Sequence, residues 1–185
     1  MKKALCFLLI VCSVFLLTAC SRNNKDIAVY EQRAAEDRIM PTRDELGDYV
    51  SLHSLCHYES ELFFSWEGWN LIAEYTAENY ASQKTQVEGK YTFKDHPYNP
   101  YKYHLSENDS PYETTVGAFF FRGLDDLAYF GDSKSENFPK LVYMIGFNDK
   151  EHKIAYVRFY DFDLDTADSL EELLRYAGWY QLYDE

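Results

Sequence analysis

Leu141-Val142-Tyr143-Met144-Ile145-Gly146-Phe147 and Ile154-Ala155-Tyr156-Val157-Arg158-Phe159-Tyr160-Asp161-Phe162 are two apolar runs. The polar stretch Asn148-Asp149-Lys150-Glu151-His152-Lys153 joins them. Short runs rich in β-branched and aromatic residues on either side of a polar turn predict a β-hairpin. Just downstream, Asp168 and Glu171 have the spacing of a capping box, and Leu170, Leu173, Leu174 and Ala177 fall on one helical face. Gly178 stands where such a helix would stop.

The same order, hairpin then helix, can be read further upstream. Leu62-Phe63-Phe64-Ser65-Trp66 and Asn70-Leu71-Ile72-Ala73-Glu74-Tyr75 flank Glu67-Gly68, a plausible turn. Thr76 is placed to cap a helix carrying Ala77, Tyr80, Ala81, Lys84 and Val87 at three- and four-residue spacing, with Gly89 as its stop. The two units cover 62–88 and 141–177. Their residues match too thinly to call for a duplication, and the repeated order is read as a coincidence of topology. Tyr49 to Tyr58 predicts a strand, Thr114 to Arg122 another, and Leu127 to Phe130 a short one. Ile27 to Arg38 reads as a short helix, and Thr42 with Glu45 as a capping box. Strands joined by short turns make the expected fold α+β, an antiparallel sheet built from hairpins with two or three helices packed on one face.

Composition sets limits on function. The chain of 185 residues carries 18 basic and 31 acidic residues, a formal charge of −13. Nucleic-acid binding is excluded, because Lys and Arg contacts to phosphate supply most of that affinity. The acidic balance serves solubility, or suits cationic partners such as metal ions or a basic protein. Aromatic residues are plentiful, with 17 Tyr, 13 Phe and 3 Trp, enough for a core without disulfides.

The chain opens Met1-Lys2-Lys3 and continues as an apolar run ending Leu17-Thr18-Ala19-Cys20. The charged start, short greasy core and small residues before a cut have the layout of a secretory signal. Leu17-Thr18-Ala19-Cys20 resembles a bacterial lipobox. The resemblance implies a diacylglycerol on the Cys20 sulfur, cleavage before it, and a lipid-anchored, extracytoplasmic protein. Two acyl chains on one cysteine hold a protein stably, where a single chain, at about 0.8 kcal/mol per buried methylene, holds it marginally. Residues 1–19 are then a signal peptide, 20–26 a lipidated cysteine with a polar tether, and 27–185 one α+β domain. Cys6 and Cys12 leave with the leader and Cys20 takes the lipid, so Cys56 alone remains and no internal disulfide is available. Anionic head groups repel a domain of this charge, which leaves the lipid to hold it at the membrane. Met40-Pro41, Leu46-Gly47 and Tyr160-Asp161-Phe162-Asp163, in an anchored chain of this size, are similar to a group of small lipoproteins of Gram-positive bacteria. That group has no established activity, so the resemblance lends no site residues.

No G-x-S-x-G, glycine-rich phosphate loop or C-x-x-C occurs. Asp161, Asp163, Asp165 and Glu172 fall at positions 1, 3, 5 and 12 of a calcium loop of the EF-hand type, a candidate metal site. Thr166 stands where that loop needs Gly, and a strand precedes it instead of a helix. The plainer reading makes Asp161 and Asp163 the wet face of a strand and Asp168 a helix cap. No other cofactor is implied. Cys56, flanked by His53 and His57, reads as a buried thiol, since on a strand His57 points away from it. The candidate binding surface is Trp66 and Trp69 together with Tyr98, Tyr101, Tyr103 and Tyr112 of the tyrosine-rich loop 96–112, which overlaps the proline-punctuated stretch 95–111. Aromatic faces stack on sugars and peptide side chains, and the alternative is that these rings cover the sheet. The expected function is a binding module taking a basic protein or an envelope carbohydrate. A hydrolase of envelope polymers and an acidic, immunity-type inhibitor are the rival expectations.

Overall fold

A computed structural model describes residues 20–61, 64–93, 113–124, 141–161 and 169–183. The strands are β1 (Cys20–Asn24), β2 (Ser51–Glu61), β3 (Phe64–Glu74), β4 (Glu113–Val116), β5 (Phe119–Gly123), β6 (Leu141–Asn148) and β7 (Lys153–Asp161). The helices are α1 (Ile27–Ala34), α2 (Ala77–Lys90), α3 (Leu170–Tyr176) and α4 (Trp179–Tyr183). All seven strands form one antiparallel sheet in the order β1-β2-β3-β7-β6-β5-β4. The α+β class expected from the hairpin pattern is the class observed.

The hairpin of β6 and β7 forms as its sequence predicts, from Leu141 opposite Tyr160 to Asn148 opposite Lys153. Every residue of β6 is buried, which requires cover on both faces of the sheet. On one face Leu141, Tyr143, Ile145 and Phe147 join Tyr30 and Ala34 of α1, Tyr80 and Val87 of α2, and Ile39, Met40 and Leu46. On the other, Val142 and Met144 join Leu170, Leu173 and Leu174 of α3 and Trp179 and Leu182 of α4. The helices therefore lie on both faces, not on one. The unbroken apolarity of Leu141–Phe147 is the physical reason, because a strand with one wet face alternates.

This arrangement also decides against a duplication. Neighbouring antiparallel strands such as β3 and β7 are related by an axis normal to the sheet, which keeps each face on its own side. The helices that follow them, α2 and α3, sit on opposite faces.

Glu67-Gly68 is not a turn. β3 runs unbroken through it, and the hairpin partner is β2, with Glu61 opposite Phe64. Gly68 is there for clearance, since a Cβ would fall 2.2 Å from the carbonyl oxygen of Ala177. Glycine inside a strand often marks such a close backbone approach. Two residues on, buried Asn70 donates to the same oxygen at 2.6 Å, so β3 grips the end of α3. The single strand expected over 114–122 is a hairpin of β4 and β5, turning at Gly117 (φ +58) and Ala118.

The segment 20–26 is not a free tether. Cys20 to Asn24 pair with β2 from Ser60 to Cys56, and Asp26 caps α1 by accepting from the Ala28 N–H at 2.9 Å. Thr76 caps α2 as expected, accepting from the Asn79 N–H. The cap of α3 is Ser169, which accepts from the Glu172 N–H at 3.2 Å. Gly178 (φ +81) follows α3 as predicted. The strand expected at 127–130, the stretch 95–111, and Asp168 lie outside the described residues.

Candidate functional site

The β1–β2 margin is where the candidate anchor meets the folded domain. Cys20 is the first residue of β1 and stands in register with Ser60. Ser21 to Asn24 are exposed and polar, with no apolar side chain to fasten them. A side-chain chain holds the strand instead. Asn23 donates through Nδ2 to Gln181 Oε1 of α4 at 2.6 Å, and its Oδ1 lies 2.6 Å from His57 Nδ1. That carbonyl oxygen only accepts, so the imidazole carries its proton on Nδ1. His57 Nε2 faces Glu59 Oε2 at 3.2 Å. Burial pulls the His57 pKa down and the Glu59 carboxylate pushes it back, leaving it below the ordinary imidazole value. Gly178 lets the chain pass over this ring, since a Cβ there would meet the His57 side chain at 2.9 Å.

An open groove of about 960 Å³ runs along β1, lined by Arg22, Asn24, Val29, Arg33, Cys56 and Tyr58 among others. A second, of about 940 Å³, lies where β1 has ended and β2 continues, with Asp26, His53, Glu151, Lys153 and Tyr183 on its walls. The carboxylates of this second groove are engaged. Asp26 caps α1, and Glu151 pairs with Lys153 at 2.7 Å. Neither groove presents two free converging acids among its described residues.

Beside the first groove lies a buried charge network that sequence reasoning did not find. Arg158 Nη1 donates to Glu67 Oε1 at 2.7 Å, and its Nε lies 3.3 Å from Asp37 Oδ2, close enough for an ion pair but not aligned as a hydrogen bond. Asp37 is further held by the Tyr143 hydroxyl at 2.7 Å and by the backbone N–H groups of Ile39 and Met40. Burial, with the Asp37 charge added to it, pushes the Tyr143 phenol well above its ordinary value. Arg33 reaches Glu67 from α1 at 3.4 Å. The signal was present in the sequence as one arginine inside the run Ile154–Phe162, since a charge in an apolar strand requires a buried partner.

The two tryptophans of the expected aromatic surface do not share a face of the sheet. Trp66 and Trp69 are three residues apart on one strand and so face opposite sides of the sheet. Trp66 is buried, edge-on to Tyr176 at 5.2 Å. Trp69 is half-buried under the Arg158 guanidinium, 3.9 Å from the ring centroid, with Arg33 at 5.3 Å. Both serve packing. Tyr98, Tyr101, Tyr103 and Tyr112 lie outside the described residues.

Of the calcium candidates, Asp163 and Asp165 also lie outside the described residues. Asp161 is buried at the end of β7 instead of on a wet face, and Glu172 pairs with Arg175 at 2.8 Å on α3. The element entering the candidate loop is a strand where a calcium loop of that type has a helix. Among the described residues no three His, Cys, Asp or Glu side chains are grouped to hold a metal. Cys56 is buried, and burial raises its thiol pKa, so it is a thiol and not a nucleophilic thiolate. His53 is exposed, and it shares with His57 the face opposite Cys56, as alternation predicts. Compared with protein-family models, with curated proteins and with solved structures, the chain matches none of them.

Proposed function

We propose that the protein is a lipid-anchored, extracytoplasmic binding module of a bacterial envelope, held by a diacylglycerol on Cys20. The observation that carries this reading is the Leu17-Thr18-Ala19-Cys20 motif, with Cys20 paired to Ser60 at the edge of the sheet. Among the described residues no helix is long and apolar enough to cross a membrane. The grooves along the β1–β2 margin, with their carboxylates partnered inside the fold, suit binding better than acid–base hydrolysis. The charge of −13 favours a basic protein as partner.

Fractionation of cells tests the anchor. The wild-type chain is expected in the membrane fraction, and Cys20→Ser in the aqueous fraction or retained with its leader. Equal partitioning of the two with the leader removed from both would refute the proposal.

A further inference from the structure

The proposed anchor leaves no slack. Cys20 pairs with Ser60, next to the end of β2 at Glu61, and Phe64 opens β3 opposite Glu61. Two residues of strand, about 7 Å, already lie within the sheet. A lipid on Cys20 therefore fixes which end of the sheet meets the bilayer, as well as holding the domain near it.

Phe64 is at that end and 47% exposed, in a described surface where only Val50 and Phe120 are comparably exposed large hydrophobics. Arg22, two residues into β1, makes no ion pair among the described residues. Of the nearby carboxylates, Glu67 is answered within the fold by Arg158 and Arg33, and Glu59 lies 3.2 Å from the His57 ring. The repulsion from anionic lipid inferred from the average charge is opposed at this end by the Arg22 cation.

We infer that the end of the sheet carrying Cys20, Arg22 and Phe64 is a membrane-contacting surface, resting on phospholipid with Phe64 in the interfacial layer and Arg22 against a lipid phosphate. This rests on the anchor proposed above. An aromatic ring suits the boundary between head groups and acyl chains, and a guanidinium suits phosphate. The opposite end, with Val50 and the exposed Asp149-Lys150-Glu151 turn, faces away from the bilayer and is the side open to partners. Lys150 stands on the order of 30 Å along the strands from Phe64.

The test uses the full chain, processed in cells, purified in detergent and returned to vesicles of phosphatidylglycerol and phosphatidylethanolamine. An environment-sensitive fluorophore is placed at Phe64→Cys, at Ser65→Cys with the Phe64 ring intact, or at Lys150→Cys, each in a Cys56→Ala background. The expected result is a blue-shifted emission at 64 and 65, quenched by nitroxide on the lipid acyl chains, with neither effect at 150. Water-like emission at both 64 and 65 on protein whose Cys20 carries lipid by mass overturns this inference and leaves the anchor standing. An unmodified Cys20 overturns the anchor and this inference together.

Discussion

At the scale of single residues, backbone clearance and buried charge explain the positions that composition could not. Gly68→Ala is expected to destabilise the domain by about 2 kcal/mol or more, because the new methyl has only backbone to displace. A urea denaturation midpoint unchanged from wild type would show that α3 does not lie against β3 as described. Arg158→Met leaves buried Asp37 without its cation and Glu67 with only the more distant Arg33, at a cost of about 3–5 kcal/mol. Double substitution of Arg158 and Glu67 by apolar residues is expected to cost less than the sum of the two, and strict additivity would argue against the network. His57 gives a pH dependence with a definite sign. Its folded pKa is lowered, so the unfolded chain takes up the proton first. Stability is full above the ordinary imidazole value near 6.5 and falls as pH drops towards the folded value. His57→Gln should flatten the denaturation midpoint across that interval, and an unchanged slope would assign the dependence to other groups. Arg158 was legible as an anomaly in its strand, but its partners were not. Asp37 and Glu67 come to it only through the pairing of β3 with β7 and the return of the chain over the sheet.

At the scale of elements, what could be read depended on where stability comes from. The β6–β7 hairpin and the helices with clear caps were legible because apolar spacing and turn chemistry are local properties. β1 was not, since its residues are polar and its place is set by backbone pairing and by the Asn23–His57 and Asn23–Gln181 contacts. The extent of β3 was missed because a glycine needed for clearance looks the same in sequence as a glycine needed for a turn. Asn23→Ala removes both of those contacts, a loss of about 1–2 kcal/mol to the attachment of β1. Hydrogen exchange should show the Cys56–Ser60 amides opening faster while those of β6 and β7 keep their protection. Equal acceleration everywhere would mean that β1 does not detach on its own.

At the scale of the whole molecule, the sheet carries a helical layer and a core on each face, and its two ends differ in character. The class of fold was legible from the hairpins, but the number of covered faces was not weighed from the unbroken run Leu141–Phe147, which bears on it directly. The two tryptophans of the candidate surface were misplaced for a related reason. Abundant aromatic residues in a chain with two cores are largely consumed by those cores, as Trp66 and Trp179 show. What remains distinctive is the junction of the lipobox-like stretch Leu17-Thr18-Ala19-Cys20 with an ordered strand, and the proposed habitat and orientation both follow from it. The intact mass of the protein taken from membranes tests that junction most directly. The predicted result is a chain beginning at residue 20 and heavier than its sequence by a diacylglycerol. A chain that retains residues 1–19, or that begins at Cys20 with a free thiol, would contradict it.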